Sequence, residues 1–131
     1  MPVTRSRDSA TQEFPWGNEP PTPKRANYGA SGNGGPVDVG SYPPNERGLF
    51  DMAGNVWEFM FEEWRDDYSK PLVLPTEPFD AIHSRRGLRG GSWEGSPVNL
   101  RVRYRDSHPP TGAGPHVGFR CVRPEGSRRQ D

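Results

Sequence analysis

Cysteine is almost absent: Cys121 stands alone in 131 residues, so no disulfide forms within the chain. Long apolar runs are missing as well. No stretch approaches the length of a membrane span, which leaves no direct membrane insertion to expect. Met1 to Thr11 lacks the hydrophobic core of a signal peptide, and the sequence alone reads as cytoplasmic, or as carried elsewhere by a partner. Charge of one sign is not in excess. Seventeen basic and 17 acidic side chains cancel, so no global field draws the chain to nucleic acid or to an anionic surface. The glycine-rich stretch from Asn27 to Gly35 has neither the lysine nor the following helix that a phosphate-cradling loop requires.

Only 30% of the residues are hydrophobic, whereas glycine and proline each number 16. Such a composition supports neither long helices nor a continuous sheet core. Four Trp, six Phe and four Tyr must therefore carry much of the burial. Residues 1–13 and 124–131 read as polar tails around a single domain at 14–123. Within it, strand candidates are Leu88–Trp93, Asn99–Arg105, Val117–Val122 and, more weakly, Pro36–Tyr42. The apolar positions between Gly54 and Tyr68 fit either a short helix or an aromatic strand. Arg85, Arg86, Arg89, Arg101, Arg103, Arg105, Arg120 and Arg123 crowd the last third, and Glu58, Glu62, Glu63, Asp66 and Asp67 follow the middle. Mutual pairing is the simplest account of the two sets.

The stretch Gly48 to Phe59, GLFDMAGNVWEF, combines two glycines, three oxygen-bearing side chains (Asp51, Asn55 and Glu58) and several large apolar groups. One reading is a buried turn wrapped around a hard cation, which takes carboxylate and carbonyl oxygens together. The other is a helix capped by Asp51, with Val56, Trp57 and Phe59 inward and Glu58 in water.

The order FPWGNEPP (from Phe14), KRANYG (from Lys24), PVDVGSYPPNERGL (from Pro36), DMAGNVWE (from Asp51), RGGSW (from Arg89) and GFRCVR (from Gly118) resembles the formylglycine-generating enzyme family, the sulfatase-modifying-factor domain. The likeness runs from Phe14 to Arg123 and covers roughly the C-terminal half of the family's usual domain. It implies an α+β, C-type-lectin-like fold: a small twisted antiparallel sheet carrying long ordered loops, with little helix. It also favours a strand or irregular turn over a helix after Gly54. Calcium is the cofactor it implies, held by the Asp51 and Glu58 side chains and by the Gly54 and Val56 carbonyls. The second ion site of the family is not expected, because the loop after Asn27 and Tyr28 lacks a matching acidic residue.

Copper is not expected. The family's oxidases use paired cysteines after the RGGS-like turn, and Cu(I) prefers soft thiolates to serine or carboxylate oxygen. No cysteine lies between Gly91 and Arg120, and Cys121 reads as a buried structural thiol. His83, His108 and His116 match no metal-ligand spacing. Arg89, Arg101, Arg105 and Arg120 are expected to pair with Asp51, Glu58, Glu62 or backbone carbonyls.

These features point to a non-catalytic binding or scaffold domain, or an accessory subunit of a larger complex. Its expected binding surface comprises Trp93, Glu94, Asn99, Arg103, Tyr104, Asp106 and His108. A protein partner or a second copy would cover the face that the family's N-terminal half covers elsewhere, since apolar surface left in water costs about 25 cal/mol per Å². The alternatives are a formylglycine-generating oxidoreductase, divergent or completed by another chain, and a variable ligand-binding protein of a diversity-generating retroelement.

Overall fold

The computed structural model describes residues 12–76 and 84–126. His83 and the two chain ends lie outside the described residues. Four short strands form one sheet: β1 (Trp57–Glu63), β2 (Arg86–Arg89), β3 (Asp106–His108) and β4 (Val117–Gly118). Their order across the sheet is β3-β2-β1-β4. β1 pairs antiparallel with β2, and β2 with β3, while β4 joins β1 in parallel. The sheet is thus mixed rather than wholly antiparallel. β3 and β4 run the same way at opposite edges, so the Pro- and Gly-rich segment between them has to cross from one edge to the other. Among the described residues the only helical pieces are 3-10 turns, Gly29–Ser31 and Pro97–Leu100.

β1 is the longest strand because Trp57, Phe59 and Phe61 bring aromatic groups that fit a pleated surface. Its ladder to β2 is irregular between Phe59 and Glu63, where β1 carries extra residues against Leu88 and Arg86. In β2 the burial alternates, Arg86 and Leu88 inward, as the two-residue period of a strand requires.

All four strand expectations change, the one over Val117–Val122 shrinking to the two residues of β4. β2 starts and ends earlier than Leu88–Trp93, because Gly90 and Gly91 adopt φ of 95° and 76° and turn the chain out of the sheet. In place of a strand over Asn99–Arg105, Pro97 opens a 3-10 turn that drives Leu100 into the interior at 1% exposure. Strand pairing resumes only at Asp106. Residues 36–42 form no strand; Gly40 takes φ of 76° and the segment remains an irregular loop.

The core sits mainly beside the sheet, among loops. Phe14, Ala26, Tyr28, Ala53 and Leu100 cluster together with Trp16 packed against them, and Phe14 stacks on Trp16 at 5.3 Å. A loop-built core brings backbone polar groups inside, and each must find a partner there. Two buried asparagines supply many of them. Asn55 accepts from Val37 N (2.9 Å) and Asn27 Nδ2 (3.1 Å) and donates to Val37 O (3.2 Å). Asn27 in turn donates to Gly35 O (3.0 Å) and accepts from Asn33 Nδ2 (2.9 Å).

Candidate functional site

The turn from Asp51 to Val56 is pinned from inside. Asn55 N donates to Asn27 O (2.8 Å), Gly54 N to Gly90 O (2.7 Å) and Trp93 N to Asn55 O (2.8 Å). Asp51 and Asn55 hold φ of 54° and 69°, a left-handed conformation that short polar side chains tolerate. A helix capped by Asp51 is therefore not what forms; the segment is a bent turn that runs straight into β1.

On its outer side the turn borders a cavity of about 230 Å³ lined by Val39, Phe50, Asp51, Gly54, Asn55, Val56, Glu58, Phe119 and Arg120. All four residues expected from sequence to hold an ion, Asp51, Gly54, Val56 and Glu58, face this one space. Arg120 occupies its charged wall. Its Nε donates to Glu58 Oε2 (2.6 Å) and its Nη2 to Glu58 Oε1 (2.5 Å), a two-pronged pair of the strong, charge-assisted kind. The same Nη2 reaches Phe50 O (3.0 Å) and Asp51 O (3.1 Å). Hydrogen bonding to Glu58 raises the Arg120 pKa above the usual arginine range, against the opposing effect of partial burial. Asp51 Oδ2 accepts from Gly40 N at 2.7 Å, tying the 36–42 loop to the turn.

Carboxylate and main-chain oxygens around a small space make a donor set of the type a hard cation takes. Among the described residues no three His, Cys, Asp or Glu side chains gather as a metal-ligating group. An ion in the cavity would therefore draw on carbonyls as well as on Asp51 and Glu58.

The residues expected to form a binding surface make contacts just before β4, on β1 and along β3. Trp93 and Glu94 meet His116: the Trp93 and His116 rings lie 5.0 Å apart, Glu94 Oε1 is 3.4 Å from His116 Nε2, and Trp93 Nε1 donates to Pro115 O (3.0 Å). Tyr104 approaches Trp57, with ring centroids 5.8 Å apart. Asp106 and His108 belong to the edge strand β3, where His108 meets Phe59 edge-on and its Nδ1 lies 2.8 Å from Pro109 O. His116 precedes β4, at the other edge of the sheet. Asn99 turns back on its own 3-10 turn, accepting from Ser96 N at 3.0 Å, and Arg103 is exposed.

The other arginine expectations resolve individually. Arg89 donates to the carbonyls of Val102 and Tyr104, and Arg105 to that of Arg65 while lying 4.4 Å from the Trp64 and Tyr68 ring centroids. Arg101 pairs instead with Glu13 at 3.0 Å. Cys121 is exposed, contrary to the buried thiol expected, because β4 ends at Gly118 and the chain beyond it runs along the surface.

A little-helical α+β fold with a small curled sheet and ordered loops is of the C-type-lectin-like class. The sequence matches the sulfatase-modifying factor enzyme 1-like domain over residues 5–125, and the chain belongs to that family. It is 31% identical to a formylglycine-generating enzyme of Thermomonospora curvata over 127 residues, which cover 83% of this chain and 42% of the relative. It is 32% identical to inactive C-alpha-formylglycine-generating enzyme 2 of Mus musculus, covering 92% of this chain and 39% of the relative. Among solved structures it resembles PvdO from Pseudomonas aeruginosa, with a TM-score of 0.64, 28% identity and coverage of 83% of this chain and 42% of that one. The chain thus spans less than half the length of these relatives. One relative is named as an enzyme and another as inactive, so membership alone does not choose between catalysis and binding.

Proposed function

We propose that this chain is a non-catalytic binding module of its family, steadied by calcium at the Asp51–Glu58 turn and acting as an accessory unit against a protein partner. The single cysteine carries this reading. Cys121 is exposed beyond β4, and the segment between Gly91 and Arg120, where the family's oxidases hold their copper thiolates, contains none. One thiol does not make the two-thiolate site that Cu(I) chemistry needs, and oxygen ligands do not replace it. In the calcium reading, Asp51 and Glu58 supply carboxylates and Gly54 and Val56 carbonyls.

A partner is supported by the rim of the same cavity, where Val39, Phe50 and Phe119 are 86%, 44% and 76% exposed. Adjacent apolar side chains of this size are recurrent features of protein-binding surfaces. The expected recognition groups, Trp93, Glu94, Asn99, Arg103, Tyr104, Asp106 and His108, then serve as contact points for that partner.

The test has two arms. Incubating the purified chain with Cu(I), oxygen and a cysteine-containing peptide should leave the peptide cysteine unchanged by mass spectrometry; an aldehyde product sinks the non-catalytic reading. Sedimentation velocity at micromolar concentration should show self-association that Phe119→Ser weakens, or a monomer that associates with a co-purified partner and loses it on the same substitution. A compact monomer that retains no partner counts against the accessory role. The second reading, a formylglycine-generating oxidoreductase completed by another chain, is favoured by the likeness to the Thermomonospora curvata enzyme. It predicts stoichiometric copper in the chain purified from its own cell.

A further inference from the structure

The wall of the cavity already holds a positive charge. Arg120 Nη2 lies within 3.1 Å of three oxygens from three residues, Phe50 O, Asp51 O and Glu58 Oε1, and Nε takes the remaining Glu58 oxygen. One carboxylate with two turn carbonyls is the kind of oxygen set a hard divalent ion collects. The pair it forms is not deeply buried, with side-chain exposures of 36% for Arg120 and 17% for Glu58, so its hydrogen bonds can exchange with solvent.

We propose that Arg120 is the resident cation of this cavity and that calcium competes with it for Glu58, entering as the guanidinium leaves. The proposal rests on the calcium reading above and adds how the ion would be admitted. The charge balance explains why exchange is favoured over sharing. Asp51 and Glu58 against Arg120 leave the cavity one negative charge. A divalent ion placed beside the guanidinium reverses that sign and sets like charges in contact, whereas an ion that replaces it brings the cavity to neutrality.

Geometry gives the exchange a reach beyond the ion. Phe119 precedes Arg120 in the chain and lines the same cavity. Release of Arg120 frees the segment after β4 to move, and with it part of the apolar rim. Calcium would thereby alter the surface offered to a partner.

Calorimetric titration of calcium into the chelator-treated chain and into Arg120→Gln provides the test. Loss of the competitor should tighten calcium binding by about ten-fold. In the native chain, the Arg120 Nε–H resonance should shift on calcium addition with the same midpoint as the heat signal. Equal or weaker binding by Arg120→Gln overturns the competition and leaves the calcium site standing. Absence of binding by both chains at millimolar calcium overturns both. Should Arg120→Gln fail to fold, the native resonance decides: an Nε–H signal unmoved at saturating calcium overturns the exchange.

Discussion

The turn from Asp51 to Glu58 has two sides that are built differently. Its inner side is closed by neutral amides: Asn27 and Asn55, 1% and 6% exposed, join each other and the 35–37 loop. Its outer side is closed by a charged pair that water still reaches, Glu58 with Arg120. Removing a partner from a buried neutral network strands a donor or acceptor with no water to replace it, while an exposed ion pair is readily remade with solvent or another ion. One face therefore fixes the shape of the turn, and the other is suited to exchange.

Gly54→Ala should break the inner side most severely. A Cβ there would lie 2.4 Å from Asn27 O at a φ of 79°, and the loss expected in chemical denaturation is about 3 kcal/mol or more. Gly32→Ala is the control. Gly32 has a similar φ of 71° but nothing within 4 Å of the added carbon, so only about 1 kcal/mol should be lost. Equal losses would mean that backbone conformation, not the close approach to Asn27, governs the turn.

Asn55→Ala comes next, at about 2–3 kcal/mol, because it leaves Val37 N and the Asn27 amide without their shared acceptor. A midpoint in denaturant close to that of the native chain would show the network to be dispensable.

The smallest effect belongs to an ion pair outside both sides. Lys70, hydrogen-bonded to Asp66 at 3.1 Å, lowers that carboxyl's pKa below the ordinary range, with help from the Trp64 indole. A depressed folded pKa means stabilisation that is present at neutral pH and fades as pH falls through the folded value. Lys70→Ala should move the Asp66 titration midpoint upward by NMR, toward that of a free carboxylate. An unmoved midpoint would show the pair to be idle.

Much of the outer side was legible in the sequence. Asp51, Gly54, Val56 and Glu58 share a short segment, and Arg120 was expected to pair with a carboxylate of this kind. The inner side was not. Asn27 and Asn55 lie 28 residues apart, and each alone looks like an ordinary turn residue. Only folding reveals that they satisfy one another. The apolar run of β1 fitted a helix as well as a strand, and only the family likeness favoured a strand or irregular turn there, while the strand expected over Asn99–Arg105 was displaced by Pro97 and the local 3-10 turn. Cys121 was misplaced for a related reason, since apolar neighbours such as Phe119 and Val122 signal burial only when a strand continues beneath them, and β4 does not.

The parallel docking of β4 on β1 has a kinetic meaning. Glu58 and Arg120, which flank that junction, are 62 residues apart, whereas β1, β2 and β3 join sequential neighbours. Closing so long a span carries a larger entropic toll than the shorter ones, and a strand of two residues offers few bonds to offset it. The C-terminal edge, held to the sheet by so short a strand, is thus set to detach before the longer pairings do.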